Sequence, residues 1–121
     1  MKRLLCAIAV VFCGSTVACG QYTQADADTA CAAAANETAS ATSEHSAALS
    51  GGGSRWYLRG ALVNLRCSEQ PFTAAALHYA RGDWRNAVQF YNNARHYAVV
   101  SRRWTTSAVA NPAVYPNGIV R

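Results

Sequence analysis

The sequence predicts an all-α protein, a small bundle of about four helices followed by an irregular C-terminal tail. An alanine-rich stretch from Gln24 to Leu49 contains neither glycine nor proline, and apolar residues recur near helical spacing from Arg55 to Arg66. Glycine or proline stands where one helix should give way to the next, at 50–54, at Pro71 and at Gly82.

The first helix is expected from about Gln24 to Leu49. Thr23 to Asp26 resembles a capping box in which Asp26 replaces the usual Glu or Gln. The glycines of Ser50–Ser54 predict a flexible break after it. The second helix is expected from Arg55 to about Arg66, with an apolar stripe made of Trp56, Leu58, Leu62 and Leu65.

Pro71 predicts the end of the second helix and suits the first turn of a third. Gly82 can take the left-handed geometry that closes a helix, and the Asp83 side chain can cap a fourth. Small residues on one face of this last helix, around Tyr91, would let a neighbouring helix approach closely. They are Ala87, Ala94 and Ala98.

The segment 68–103 resembles a tetratricopeptide repeat. The family has a Gly-Asp-aromatic turn, then an alanine, an aromatic residue and an alanine on the second helix. The matching residues are Ala75, Gly82, Asp83, Trp84, Ala87, Tyr91 and Ala94, and the sequence departs from the family pattern at Pro71, Ala74 and His78. This resemblance implies a helical hairpin that serves protein–protein interaction without catalysis.

Helical patterning ends near Thr105 in the sequence. Asn111-Pro112 and the segment 115–118 are turn and breaker signals. We therefore expect a helical domain at 23–104 and an irregular tail at 105–121.

The chain begins with two basic residues after Met1, a short apolar run and small residues before Cys19. That layout predicts a signal peptide at 1–18, and the cysteine resembles the acylated residue of bacterial lipoproteins. The resemblance implies lipidation of Cys19, a short tether at 19–22, and attachment to the cell envelope at the periplasmic face of the outer membrane. Ordinary secretion after Ala18 is the alternative.

Three cysteines follow the signal peptide: Cys19, Cys31 and Cys67. If Cys19 is acylated, an oxidising compartment predicts a disulfide between Cys31 and Cys67. The alternative is that Cys31 and Cys67 are buried free thiols that lie apart from each other.

Charge is uneven along the chain. Cys19–Ser54 holds four acidic residues and no basic one, whereas Arg55–Arg121 holds nine arginines and two acidic residues. The acidic segment could neutralise part of the basic one by packing beside it. Otherwise, the surplus could face an anionic partner. Candidate partner-binding residues are Phe90, Tyr97 and Trp104, spaced by seven, with Arg95, Arg102 and Arg103 on or beside them.

Several function classes lack their signature in the sequence. We identify no catalytic residue, metal site or cofactor motif, and we expect neither a small-molecule substrate nor a nucleic-acid partner. The sequence thus predicts an envelope lipoprotein that is not an enzyme and that binds envelope proteins, with its membrane contact made through acylated Cys19. The alternatives are an arginine-rich binder of cell wall or lipid surface, and a secreted inhibitor or immunity factor.

Overall fold

A computed structural model of the chain describes residues 21–112 and contains four helices. They are α1 (Gln24–Ser50), α2 (Arg55–Cys67), α3 (Glu69–Ala80) and α4 (Trp84–Ala110). The described residues form no β-strand. The predicted all-α fold class is therefore confirmed. Met1–Gly20 and 113–121 lie outside the described residues, and with them the predicted signal peptide, Cys19 and the last part of the tail.

Local sequence signals explain where α1 starts and stops. The Thr23 hydroxyl accepts a hydrogen bond from the Asp26 amide at 3.2 Å, and the Asp26 carboxylate accepts one from the Thr23 amide at 2.8 Å. This reciprocal pair is the expected capping box. Gly52 follows the helix with a φ of 81°, a conformation that glycine adopts without steric cost.

The glycine-rich connection is a tight turn, which corrects the flexible break expected from its composition. Gly53 and Ser54 are buried. The Gly53 amide donates to the Ala48 carbonyl at 2.9 Å, and the Ser54 amide donates to the Ala108 carbonyl at 3.0 Å. The turn therefore joins the ends of α1 and α4.

Helices α1 and α4 lie side by side and run in the same direction. Buried Ala27 and Ala30, near the start of α1, cluster with Ala87 near the start of α4. Ala48 and Ala108, near the two helix ends, share a second cluster. Since starts meet starts and ends meet ends, the pair is parallel.

The seam between α1 and α4 is made almost entirely of small side chains. Apart from Val88, the buried positions on α4 recur at alternating spacings of four and three residues: Ala87, Tyr91, Ala94, Ala98, Ser101, Thr105 and Ala108. Those on α1 are all alanine: Ala27, Ala30, Ala34, Ala41 and Ala48. Such a seven-residue repeat keeps one face turned to the partner helix along its whole length. The small residues allow the two helix backbones to approach closely.

Helices α2 and α3 return along α4 in the opposite direction, as one arm broken at Ser68. The Ser101 hydroxyl of α4 donates to the Ala61 carbonyl of α2 at 2.7 Å. Phe72 of α3 packs edge-on against Tyr91, with ring centroids 5.1 Å apart. Pro71 lies in the first turn of α3, as expected. The molecule is thus a three-helix bundle whose middle arm consists of α2 and α3.

The turn between α3 and α4 has the predicted geometry. Gly82 has a φ of 74°. The Asp83 carboxylate accepts hydrogen bonds from Asn86, one from its backbone amide and one from its side chain at 2.7 Å. The Asn86 side chain, more than any other contact, lowers the pKa of Asp83 below its usual value.

The tail prediction is wrong for residues 105–110, which continue α4. Thr105 and Ala108 extend the buried repeat, and Ala108 packs against Ala48 and Leu58. Tertiary packing thus carries the helix beyond the point where its sequence pattern fades. Pro112 comes just after the helix cap at Asn111, where it interrupts no helical hydrogen bond.

Candidate functional site

Three aromatic rings meet where α2 crosses the second half of α4. The ring centroid of Trp56 lies 5.0 Å from that of Tyr57 and 5.6 Å from that of Trp104. Gly60 lies one turn after Trp56, and the Trp104 ring covers it so closely that an added Cβ would be 2.5 Å from Cε3. Because Gly60 has no side chain, the Trp104 ring can pack directly on α2.

Large apolar side chains remain exposed on this side of the molecule. Trp56 keeps 66% of its surface exposed, Val63 55% and Tyr97 38%. We call the surface formed by Trp56, Val63 and Cys67 of α2 with Phe90, Tyr97 and Trp104 of α4 the α2–α4 face. The sequence pattern groups Trp56 and Leu58 in one apolar stripe of α2, but Leu58 is buried and Trp56 is exposed.

A groove lies in the α2–α4 face where the α2–α3 arm breaks. It has a volume of about 640 Å³, and its lining includes Cys67, Pro71, Phe90 and Tyr97. The Phe90 ring stacks on His78 at 5.3 Å with an interplanar angle of 7°. His78 Nδ1 in turn lies 3.1 Å from an Asp83 carboxylate oxygen. The hairpin turn therefore holds Phe90 in place at one wall of the groove.

Arginines border the α2–α4 face on its outer sides. Arg59 and Arg66 lie within a helical turn before and after Val63, and Arg103 lies two turns after His96, a residue of the groove lining, on the same side of α4. All three are exposed. No carboxylate among residues 21–112 lies within ion-pair distance of them.

The Arg102 side chain is 38% exposed, and its guanidinium is paired within the chain. Its guanidinium bridges two α1 carboxylates, at 2.6 Å to Glu37 and 2.8 Å to Glu44. Hydrogen bonds from Glu44 and then Glu37 raise its pKa above the usual value. Arg102 thus ties α4 to α1.

The predicted partner residues divide between two sides of α4. Phe90 and Tyr97 line one groove and Trp104 lies beside α2, so the three aromatic residues share the α2–α4 face. Arg95 is exposed on the opposite flank, where it lines a groove with Tyr22 and Asp26. Of the three predicted arginines, Arg103 alone borders the α2–α4 face.

The acidic residues of α1 are occupied by contacts within the chain. Glu37 and Glu44 bind Arg102, and Asp26 caps α1. Asp28 accepts a hydrogen bond from the Tyr79 hydroxyl, which raises the pKa of Tyr79. Among residues 21–112, the acidic segment therefore neutralises one arginine, Arg102, by direct contact, and the other arginines keep positive charge at the surface.

The predicted disulfide is not formed, because Cys31 and Cys67 lie in different surroundings and are free thiols. Cys31 is half-buried against the core cluster that contains Tyr91. Cys67 is exposed at the end of α2, where it lines the groove of the α2–α4 face.

Burial, more than any other cause, raises the pKa of Tyr91 to about 12.

Polar clusters in the described part of the chain have structural partners. Residues 21–112 contain no group of three or more His, Cys, Asp or Glu side chains placed to hold a metal ion. His45 Nε2 lies 3.2 Å from the Leu58 carbonyl oxygen and so joins α1 to α2. His78 and Asp83 belong to the hairpin turn.

The spacing of residues in the sequence could have predicted the α2 half of the face. Trp56, Gly60, Val63 and Cys67 are separated by four, three and four residues, which places them along one side of a helix. Trp56 was instead predicted to belong to the apolar stripe of Leu58, Leu62 and Leu65. Exposure distinguishes the two stripes only once α2 is packed against α4.

Searches against known protein families, curated proteins and solved structures gave no match for this chain. The tetratricopeptide resemblance of 68–103 stays a prediction. Within residues 21–112, none of the helices has the length and apolar character needed to span a membrane.

Proposed function

We propose that this protein is a non-catalytic interaction module that binds another envelope protein through its α2–α4 face. The observation that carries the proposal is the exposure of Trp56, Val63 and Tyr97 on one surface bordered by unpaired arginines. Aromatic and arginine residues contribute the most binding energy at protein interfaces. Burying apolar side chains of this size on complex formation is favourable by about 25 cal/mol per Å².

The second part of the proposal is that the protein is exported and held at the outer membrane by acyl chains on Cys19. The supporting sequence feature is the signal-like segment 1–18 followed by cysteine. Helix α1 is capped by Thr23 and Asp26, so its start requires no residue ahead of Thr23. Removal of 1–18 is therefore compatible with the folded domain. Several acyl chains would anchor the protein firmly, because one chain alone gives only marginal binding.

The binding role predicts a loss of partner when exposed apolar residues of the face are made polar. The triple variant Trp56→Ser, Val63→Ser, Tyr97→Ser should recover less than about a tenth of the partner that co-purifies with the wild type. The matched control is Tyr22→Ser, Leu49→Ser, Val109→Ser, which changes three exposed apolar residues away from the face. Equal recovery by the two triple variants would contradict the role.

The anchoring role predicts the intact mass of the protein from its natural host. We expect the mass of residues 19–121 plus a glyceryl group and three acyl chains, unchanged by reduction because Cys31 and Cys67 are free. A lipid-free mass for the same residues would contradict anchoring. That result would favour the alternative function of a secreted inhibitor or immunity factor.

A second candidate function rests on the unpaired arginines alone. Arg55, Arg59, Arg66 and Arg103 are exposed on α2 and α4, which suits an anionic cell-wall polymer or lipid surface. This alternative predicts binding to an anionic polymer that weakens steeply as salt is raised. It also predicts that the serine variants of the face keep their binding, which distinguishes it from the main proposal.

A further inference from the structure

The α2–α4 face has the size and shape to bind one more helix. Its two sides are helices that run in opposite directions, and its α2 side extends from Trp56 to Cys67. At 1.5 Å per residue, that length is about 16 Å, or three helical turns. A helix of three to four turns with apolar residues at every third or fourth position would match it.

The charged residues beside the α2–α4 face indicate which kind of helix would bind there. Arg59 and Arg66 border the face on α2, and Arg103 borders it on α4. The nearest acidic side chain along the chain, Glu69, instead lines a groove with Ala35 and Thr38 of α1, on the other side of the arm. A helix with acidic residues beside its apolar stripe would complement both borders, whereas a basic one would be repelled.

A second copy of this chain does not meet these requirements with its described residues. Two copies joined through their α2–α4 faces would bring arginines together, which is unfavourable. The acidic residues of α1 are committed to Arg102, to Tyr79 and to the helix cap. Of the other acidic residues of 21–112, Asp83 caps α4 and Glu69 is a single carboxylate that cannot complement both borders of the face. No helix of residues 21–112 therefore presents a stripe of several free acidic residues beside apolar ones.

We infer that the occupant of the α2–α4 face is an acidic amphipathic helix of a partner protein. The inference rests on the proposed binding function and names the partner's chemistry. The helix lies along the α2–α4 face, with its carboxylates beside Arg59, Arg66 and Arg103. The groove lined by Cys67, Phe90 and Tyr97 receives one bulky apolar side chain of that helix.

The test uses tryptophan fluorescence of the purified exported protein. The chain has three tryptophans, and a Trp84→Phe variant leaves Trp56 and Trp104, both on the face. It is titrated with two tryptophan-free helical peptides of about four turns. Both carry the same leucine stripe, flanked by glutamates in one and by lysines in the other. Anionic phospholipid vesicles are the third titrant.

We expect the glutamate peptide to change the emission with an affinity at least about tenfold above that of the lysine peptide. Raising the salt should weaken this binding, as should Arg59→Gln, Arg66→Gln and Arg103→Gln together. The matched control, Arg81→Gln, Arg85→Gln and Arg95→Gln together, also removes three exposed arginines but away from the face, and it should leave the binding unchanged.

Equal affinity for the two peptides, absence of binding by either, or a response to the vesicles alone would overturn the inference. The proposed function is tested separately, because the serine variants of the face report loss of the natural partner. If those variants lose the partner while neither peptide binds, the face is a binding surface and its occupant is not an acidic helix.

Discussion

Replacing Ala34 or Ala98 with leucine should lower the free energy of unfolding by about 1–3 kcal/mol. Both alanines are fully buried in the seam between α1 and α4. The added carbon atoms would have to push the two helices apart or force strained rotamers, because small side chains are closely packed around Val88 and Tyr91 in the seam. Denaturant unfolding followed by circular dichroism measures the change as a shift in midpoint at constant slope.

The control for the Ala34 and Ala98 variants is Ala32→Leu, in the same helix as Ala34 but at an exposed position. Alanine and leucine differ little in helix propensity, so this variant should unfold within about 0.5 kcal/mol of the wild type. If Ala34→Leu and Ala98→Leu were as stable as Ala32→Leu, the close parallel packing of α1 against α4 would be wrong.

Gly60→Ala should destabilise the protein, although glycine-to-alanine changes inside helices usually stabilise by about 0.5–1 kcal/mol. The new Cβ would lie 2.5 Å from Cε3 and 2.8 Å from Cδ2 of Trp104. The Trp104 ring cannot move aside freely, since Trp56 and Tyr57 pack against it. We expect a net loss of about 1–3 kcal/mol in unfolding free energy.

The sign of the Gly60 effect should reverse when Trp104 is removed. In a Trp104→Ala background, Gly60→Ala should raise the unfolding free energy by about 0.5–1 kcal/mol, as in an ordinary helix. The four proteins form a double-mutant cycle whose coupling energy isolates the contact between the two positions. A Gly60→Ala variant that is more stable in both backgrounds would show that Trp104 does not pack on Gly60.

The helices and their ends were largely readable from the sequence, because they depend on local chemistry. The capping box at Thr23 and the turn at Gly82 and Asp83 are short-range hydrogen-bond patterns. The end of α4 was missed, since packing of Thr105 and Ala108 against other helices decides it. The glycine-rich turn was misjudged for the same reason, because its order comes from a hydrogen bond to Ala108.

Which side chains share a surface was less predictable than which helices form. Phe90, Tyr97 and Trp104 were correctly grouped by their spacing of seven, which follows from helix geometry alone. Arg102 meets Glu37 and Glu44 across 65 and 58 residues of sequence, so no local pattern reveals their pairing. The disulfide was inferred from compartment and cysteine count, which carry no information on whether two thiols are neighbours.

Site-specific photo-crosslinking in the natural host tests the binding role of the α2–α4 face most directly. A photoreactive amino acid is placed singly at Trp56 or Val63 on the face, and at Tyr22 or Leu49 as exposed controls elsewhere. We predict one shared crosslinked protein from Trp56 and Val63, weak or absent crosslinks from Tyr22 and Leu49, and loss of the shared product in the Arg59, Arg66 and Arg103 glutamine variant. Crosslinks of equal strength from all four positions, or none from Trp56 and Val63, would contradict the account.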